Sequence, residues 1–306
     1  MPPLVTICVP AYQAARYLPE TLASIRAQTF ADWELIVTED GSADPVENLV
    51  AAFASSVPQS VTYQTHPRNQ GLPATRNTGI AAARGVWIAL LDSDDLWTPD
   101  HLADLMLRAR REPAAEFIHA GSVLFDSDTG RQIEIRAPTP ATVRSYPGSL
   151  YLGDYSVQPS SVLLKKSLWA RVGGFAPAYR YVEDREMWLR CARAGARFAF
   201  TERNTCHYRK HGSALTTHAA PMALASARVL QQHLDWNVIA APIRQRVTAE
   251  AWISAGRLAL RAAPRDARDC FSHAWQIQRS PRVAAYWLLA ALFSLKPAPA
   301  ASPATT

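Results

Sequence analysis

Cysteine is scarce in this sequence and poorly spaced for chemistry. The four present (Cys8, Cys191, Cys206, Cys270) form no C-x-x-C pair and no zinc spacing, so neither a redox dithiol nor a structural zinc site is expected. Cys8 lies in an apolar run and Cys191 in a helical pattern, and both read as core residues. No apolar run reaches the ~18 residues of a membrane span. The longest, Ala284 to Phe293, is too short. The first residues pass straight into a strand pattern without a charged n-region or cleavage site, which points to a cytoplasmic location. Lys and Arg outnumber Asp and Glu by 32 to 26, a net charge of +6. These basic residues are scattered and carry no recognition motif, so nucleic acid is not an expected partner, whereas nucleotides or a lipid surface are compatible. There is no internal repeat.

What is present is a chain of 306 residues, 48% apolar and 19% charged. That is enough for a sizeable core with an appendage. The first 125 residues alternate strand and helix patterns. Strands are expected at Val5–Val9, Glu34–Val37 and Val61–Tyr63. Helix faces are expected from Leu18, Leu22 and Ile25, then from Val46, Leu49, Val50 and Phe53. Pro73 to Arg84 reads as a helix capped by Gly85, and Thr98-Pro99-Asp100 as the start of another, with an N1 proline. The alternation predicts an α/β fold with a mostly parallel sheet flanked by helices. Beyond residue 125 a hairpin turn is expected at Asp126–Gly130 and a long loop from Ala137 to Asp154. A strand follows at Ser161–Leu164, a short helix at Ser167–Val172, and a helix from Asp184 to Ala194 ended by Gly195. Pro221 to Leu295 is Ala/Arg-rich and helical. The expected organisation is a domain over 1–218 (halves of about 1–125 and 126–218), a helical region over 219–295, and a disordered tail over 296–306.

The sharpest chemical signal is Asp92-Ser93-Asp94-Asp95. It follows Val86 to Leu91, an unbroken apolar run of the kind buried on both faces of a sheet. In open α/β sheets ligands bind beyond the carboxyl ends of strands. Crowded carboxylates repel unless neutralised, and Mg2+ or Mn2+ prefers oxygen ligands. Three further polar signals sit at element ends: Pro10-Ala11-Tyr12, Glu39-Asp40-Gly41-Ser42, and Arg76-Asn77. Singly, each is compatible with an ordinary turn or a surface charge.

Together they resemble family 2 glycosyltransferases of the GT-A (Rossmann-like) fold. The resemblance is carried by T-I-C-V-P-A-Y (Thr6 to Tyr12), the run from Gln28 to Asp44, and G-L-P-A-T-R-N-T-G-I (Gly71 to Ile80). It continues through L-D-S-D-D-L-W (Leu91 to Trp97), G-G-F (Gly173 to Phe175), E-D-R-E-M-W-L-R (Glu183 to Arg190) and Y-R-K-H (Tyr208 to His211). It covers roughly residues 4 to 215. The resemblance implies an inverting transfer from a nucleotide-diphospho-sugar, a UDP-sugar first, to an acceptor hydroxyl of a glycan or lipid-linked substrate in polysaccharide synthesis. A divalent cation, Mn2+ or Mg2+, is implied as cofactor.

On the same resemblance Pro10, Ala11, Tyr12, Glu39, Asp40, Arg76, Asp92, Ser93 and Arg209 would bind the nucleotide-sugar. Where the family usually has two aspartates, this chain has Glu39-Asp40, which leaves open which carboxylate reads the base. Asp94 would hold the metal, with Asp92 on the ribose or the metal's water shell and His211 on the metal or the diphosphate. Asp95 is expected to cap the next segment. Asp184 would be the general base, with Glu183 as its neighbour or fallback. The acceptor is expected near Ala137–Gln158 and Gly173–Tyr181. Two rivals remain: a non-catalytic sugar-nucleotide-binding protein, which has no need of Asp184, and a glycoside hydrolase, which also uses paired carboxylates. The C-terminal helices could pack onto the catalytic domain, mediate a homo-oligomer or rest peripherally on the inner face of a membrane.

Overall fold

The computed structural model describes residues 2–212 and 218–294. The tail expected over 296–306 lies outside the described residues. The chain divides into two compact units, Met1–Ala214 and Leu215–Thr306.

The first unit is built on a nine-stranded sheet. Its four leading strands are β1 (Val5–Ala11), β2 (Trp33–Glu39), β3 (Val61–Thr65) and β4 (Trp87–Leu90). All are mutually parallel, with β1 between β2 and β4. Every residue of β1, β2 and β4 is buried, as continuous apolar runs between two helical layers require. Interleaved helices α1 (Leu18–Arg26) and α2 (Val46–Ala54) bury Leu18, Leu22 and Ile25, then Val46, Val50 and Phe53. Helix α3 (Leu72–Ala82) buries Arg76, Gly79 and Ile80.

Register places the strand ends level with one another. Ala11 pairs with Glu39, and Cys8 pairs with Leu90. Because parallel strands advance together, Asp92 comes level with Pro10, and both face the same edge as Glu39.

The second half of the sheet is mixed. After β5 (Leu96–Trp97) and α4 (His101–Arg111) come β6 (Phe117–Asp126) and β7 (Gln132–Arg136), joined by the expected hairpin. Then follow α5 (Pro140–Arg144), α6 (Gly148–Leu152), β8 (Val162–Lys165), α7 (Lys166–Val172), α8 (Glu183–Arg193) and the long β9 (Phe198–Lys210). Strand β8 runs antiparallel to both β4 and β6, whereas β6 and β9 are parallel. The sheet is therefore parallel over β1 to β4 and mixed beyond, and the expectation of a mostly parallel sheet holds only for the first half.

Four local expectations also change. Val86 is 56% exposed and lies outside β4. Gly85 does not cap α3, since the cap position is Ala83 in an extended conformation. Gly85 is instead a point of close approach: a Cβ there would lie 2.6 Å from the Thr6 backbone nitrogen. Helix α4 begins at His101, so Pro99 precedes the helix rather than occupying its first turn. Its Asp100 cap position makes no capping bond and instead accepts from the Thr98 hydroxyl. The segment expected as a loop from Ala137 to Asp154 contains α5 and α6, the former capped by Thr139.

The second unit is helical: α9 (Ala219–Gln232), α10 (Ala241–Ala259), α11 (Pro264–Ile277) and α12 (Pro281–Ser294). Its own core joins Ala227, Trp252, Ile253, Phe271 and Ala290. Gly256 lets α10 and α11 approach closely, because a Cβ there would meet the Phe271 ring at 2.6 Å. All four cysteines are free and buried. No described helix is long and apolar enough to cross a membrane.

Candidate active site

The site is organised by a buried arginine. Arg76 sits on the inward face of α3 with 1% of its surface exposed. Its guanidinium donates to Glu183 Oε1 at 2.5 Å and to Asp92 Oδ1 at 2.6 Å. It also lies 5.3 Å from the Phe175 ring centre. A buried cation is tolerated only with charged partners, and here a planar fork spans two carboxylates from distant parts of the chain. The end of β4 is thereby tied to the first turn of α8. Burial opposes the charge on Arg76, but Asp92 and Glu183 outweigh it and hold its pKa above the ordinary value.

The second anchor of α3 is Asp40. Its carboxylate accepts from the backbone N–H groups of Gln70 and Gly71, both at 2.8 Å, and meets His66 Nδ1 at 2.7 Å. Gly71 is the N-cap position of α3, so Asp40 fixes where the Arg76 helix begins. Glu39 faces its own turn, accepting from the N–H groups of Gly41 and Ser42 and from the Ser42 and Thr65 hydroxyls. Gly41 adopts φ +71 with its Cα against the Arg68 backbone, where a Cβ would stand 2.6 Å away. Both carboxylates are buried and bonded to the protein. Pro10 and Ala11 are buried at the end of β1, while Tyr12 is 47% exposed just beyond them.

The acidic cluster divides into inward and outward members. Asp95 is fully buried; it accepts from Ser160 Oγ at 2.5 Å and from the Arg209 N–H at 2.9 Å. Burial, then the neighbouring Asp94 and Asp92, push its pKa well up. Ser160 Oγ also accepts the Asp92 N–H, so this one hydroxyl braces both ends of the turn. The Ser93 carbonyl accepts from Thr21. Asp92 and Asp94 keep 21% and 33% of their side chains exposed. Asp94 Oδ2 meets His211 Nε2 at 2.9 Å. That meeting follows from sheet pairing, since Leu96 pairs with His207 across antiparallel β5 and β9.

Arg209 turns inward rather than toward the crevice. Its guanidinium donates to the Asp94 carbonyl and to Glu20, and it rests between the Tyr17 and Phe125 rings. The resemblance implies a nucleotide-sugar role for Arg209; its observed bonds brace the acidic turn.

Helix α8 opens with Glu183 and Asp184 and buries Met187, Trp188 and Cys191 on the expected face. The preceding Val182 adopts φ 53, an uncommon conformation for a β-branched residue that costs of order 1–3 kcal/mol. Burial raises Glu183 to about 7 against the pull of Arg76, with Asp184 adding to the rise. Asp184 is half-buried, and its Oδ1 accepts from the Arg185 N–H. Burial also raises its pKa, with Asp92 contributing in the same direction.

The structure thus brings Arg76, Asp92, Glu183 and Asp184 into one electrostatic network and places Asp94 with His211. Glu39 and Asp40 belong to a separate set of bonds that shapes the base of α3. Sequence reasoning missed His66 and Ser160, and Asn77 as a clamp. Asn77 bonds both the N–H and the carbonyl of Phe175 and accepts from Trp169 Nε1. It holds the Gly173–Phe175 turn against α3, and its adjacency to Arg76 was the only signal of it.

Among the described residues no group of three His, Cys, Asp or Glu is arranged to hold a metal ion. Asp94 and His211 are the pair of oxygen- and nitrogen-bearing side chains that meet at the partly exposed edge of the acidic turn.

Comparison with known proteins places these features in context. Residues 6–151 match the family model described as Glycosyl transferase family 2. EpsH of Bacillus subtilis, named as a glycosyltransferase, is 38% identical over 133 residues, 41% of this chain and 38% of EpsH. The Escherichia coli protein WfgD, named as a UDP-Glc:alpha-D-GlcNAc-diphosphoundecaprenol beta-1,3-glucosyltransferase, is 36% identical over 99 residues, 32% of this chain and 38% of WfgD. The matched stretches span well under two thirds of these two relatives. Among solved structures, S. aureus TarS 1-349 in complex with UDP-GlcNAc aligns with a TM-score of 0.68 at 15% identity, over 94% of this chain and 84% of that one. The mannosyltransferase PcManGT from Pyrobaculum calidifontis, in complex with GDP-Man and Mn2+, gives a TM-score of 0.61 at 20% identity, over 97% of this chain and 81% of that one. At these identities the likeness is one of fold.

Proposed function

We propose that this chain is an inverting glycosyltransferase, a reading supported by the match of residues 6–151 to the Glycosyl transferase family 2 model and by the likeness to EpsH. It moves a sugar from a nucleotide-diphospho-sugar, a UDP-sugar first, to a hydroxyl of a glycan or lipid-linked acceptor in polysaccharide synthesis. The observation that carries this reading is the Arg76 bridge, which joins Asp92 at the sheet edge to Glu183, beside Asp184 and 107 residues beyond Arg76.

In this reading Asp184 takes the proton of the acceptor hydroxyl. The hydroxyl oxygen then attacks the anomeric carbon from the face opposite the diphosphate, forming the new glycosidic bond as the old carbon–oxygen bond breaks. The configuration inverts, and no covalent sugar–enzyme intermediate forms. A carboxylate whose pKa is raised by burial suits this work near neutral pH. Arg76 orients Glu183, and through it the first turn of α8, so that the base sits at a fixed place relative to Asp92. Asp94 and His211 would hold a divalent cation, with Asp92 near the ribose or the ion's water. Mn2+ or Mg2+ bound there would act as a Lewis acid for the departing diphosphate. Tyr12, exposed at the end of β1, is free to lie against the nucleoside.

The mutual arrangement of the acids weighs against a glycoside hydrolase. That chemistry needs two carboxylates free to flank a glycosidic bond, whereas Asp92 and Glu183 share one guanidinium. The names of WfgD and TarS 1-349's ligand support a UDP-sugar donor, and WfgD's name supports a lipid-linked acceptor. A cytoplasmic site at the inner membrane face follows from such an acceptor. The test is a panel of UDP-, GDP- and dTDP-sugars read as nucleoside diphosphate release with Mn2+ or Mg2+, each with and without chelator. Metal-dependent release from one donor is expected. Failure of every panel member to bind or turn over with metal present would sink the reading.

A further inference from the structure

The net charge of this protein belongs entirely to one unit. Met1–Ala214 holds twenty-two Lys and Arg against twenty-two Asp and Glu, while Leu215–Thr306 holds ten against four. Among the described arginines of the second unit only Arg244 is buried, bonded to the Leu234 carbonyl and Asn237. The others are exposed. A strongly cationic unit is drawn toward anionic surfaces.

The same unit carries an apolar helix that no described residue covers on its outer side. Helix α12 has no charged residue from Val283 to Phe293. Val283 and Ala290 are buried in the unit's core. At 100° per residue, Leu288, Leu289 and Leu292 point away from that stripe, whereas Trp287 flanks it and donates its Nε1–H to Ser272 of α11. These three leucines are 59, 39 and 61% exposed. A helix that is apolar on all sides yet lies at the surface of its unit has one face without a partner among the described residues. With 14 residues it is about 21 Å long, short of the ~30 Å apolar core of a bilayer. Such a helix lies in the interface rather than across it.

We propose that α12 docks this protein on an anionic lipid surface, its outer face entering the headgroup–acyl boundary while the exposed arginines of the unit meet lipid phosphates. Charge complementarity selects this occupant. A second copy of the same face would bring two strongly cationic units together, an arrangement like charges oppose. Anionic lipid removes that repulsion and supplies the apolar layer that three exposed leucines need. The proposal rests on the C-terminal unit alone and is independent of any sugar chemistry.

The test is flotation of the full chain with phosphatidylcholine vesicles, with and without phosphatidylglycerol. The expected result is co-flotation only with the anionic vesicles, declining as salt is raised. Leu288→Glu/Leu292→Glu should lower the recovered fraction at limiting lipid by about tenfold or more, since each change removes apolar burial and adds repulsion. Circular dichroism should show unchanged helix content, because both positions face outward. As a second measurement that leaves the helix intact, brominated anionic lipid should quench the tryptophan fluorescence of Leu288→Trp more strongly than that of the native chain. Three results would each overturn the proposal: no flotation with anionic vesicles, equal flotation of the folded double variant, or quenching no stronger in Leu288→Trp than in the native chain. A solution dimer that the double variant dissolves while flotation persists would assign the face to self-association instead.

Discussion

Replacing Arg76 with methionine is the perturbation that bears most directly on the architecture of the site. Methionine keeps much of the buried volume but removes the cation shared by Asp92 and Glu183. Breaking a buried ion pair by deleting one partner costs about 3–5 kcal/mol, because the remaining charge is uncompensated. The sign of the pH dependence follows from the same geometry. Burial already holds both carboxylates above their ordinary pKa, and Arg76 is the group pulling them down. Without Arg76 their folded-state pKa values rise further above the unfolded ones. A carboxylate raised on folding costs stability as pH climbs from its unfolded pKa to its folded pKa. The deficit of Arg76→Met should therefore be small near pH 4.5 and grow to its full size above pH 7. Urea unfolding of both proteins at a series of pH values, read by tryptophan fluorescence, measures it. Adding Asp92→Asn and Glu183→Gln to Arg76→Met should recover most of the loss, since a neutral trio leaves no buried charge. A deficit below about 1 kcal/mol, or one that does not change with pH, would refute the reasoning.

Other consequences are more local. Glu183→Gln should flatten the fall in stability between about pH 4.5 and about 7 that the native Glu183 contributes by holding its proton to about 7; parallel pH–stability curves for the two proteins would contradict this. Asp94→Asn should abolish the metal-dependent part of donor binding while leaving the thermal midpoint within a few degrees, as titration calorimetry and a melt would show; Asp94 is one of the exposed acids of its cluster. Gly85→Ala should prevent soluble expression or lower the unfolding free energy by about 3 kcal/mol or more, because its Cβ would stand 2.6 Å from the Thr6 backbone nitrogen, which cannot yield without opening β1. Wild-type-like stability of that variant would mean the approach is looser than described.

Much of this was legible in the sequence, for identifiable reasons. Continuous apolar runs such as Ile7–Val9 and Ile88–Leu91 mark strands buried on both faces, and the helix faces Leu18/Leu22/Ile25 and Met187/Trp188/Cys191 follow from period alone. The acidic turn was visible because three carboxylates after an apolar strand are otherwise hard to explain. What escaped depends on long-range geometry. Pairing of β8 antiparallel to β4 has no local signature, so the mixed half of the sheet was unforeseen. Helices α5 and α6 have five residues each, too few for periodicity to declare itself. Gly85 read as a cap because a glycine after a helix usually is one; its close contact is with a residue 79 positions earlier. The inward turn of Arg209 depends on Glu20 and Tyr17, far upstream. Ser160 lies in an unremarkable Pro-Ser-Ser stretch, and only the fold reveals that it braces Asp92 and Asp95.

The central claim is that Asp184, held beside the Arg76 bridge, is the base of a sugar transfer. With the donor found by the panel, donor affinity and transfer rate should be measured side by side for the native chain and Asp184→Asn. The account predicts an unchanged donor Kd in the presence of Mn2+ or Mg2+ and a transfer rate reduced by about 10²–10⁴-fold. Transfer by Asp184→Asn at the native rate would contradict it.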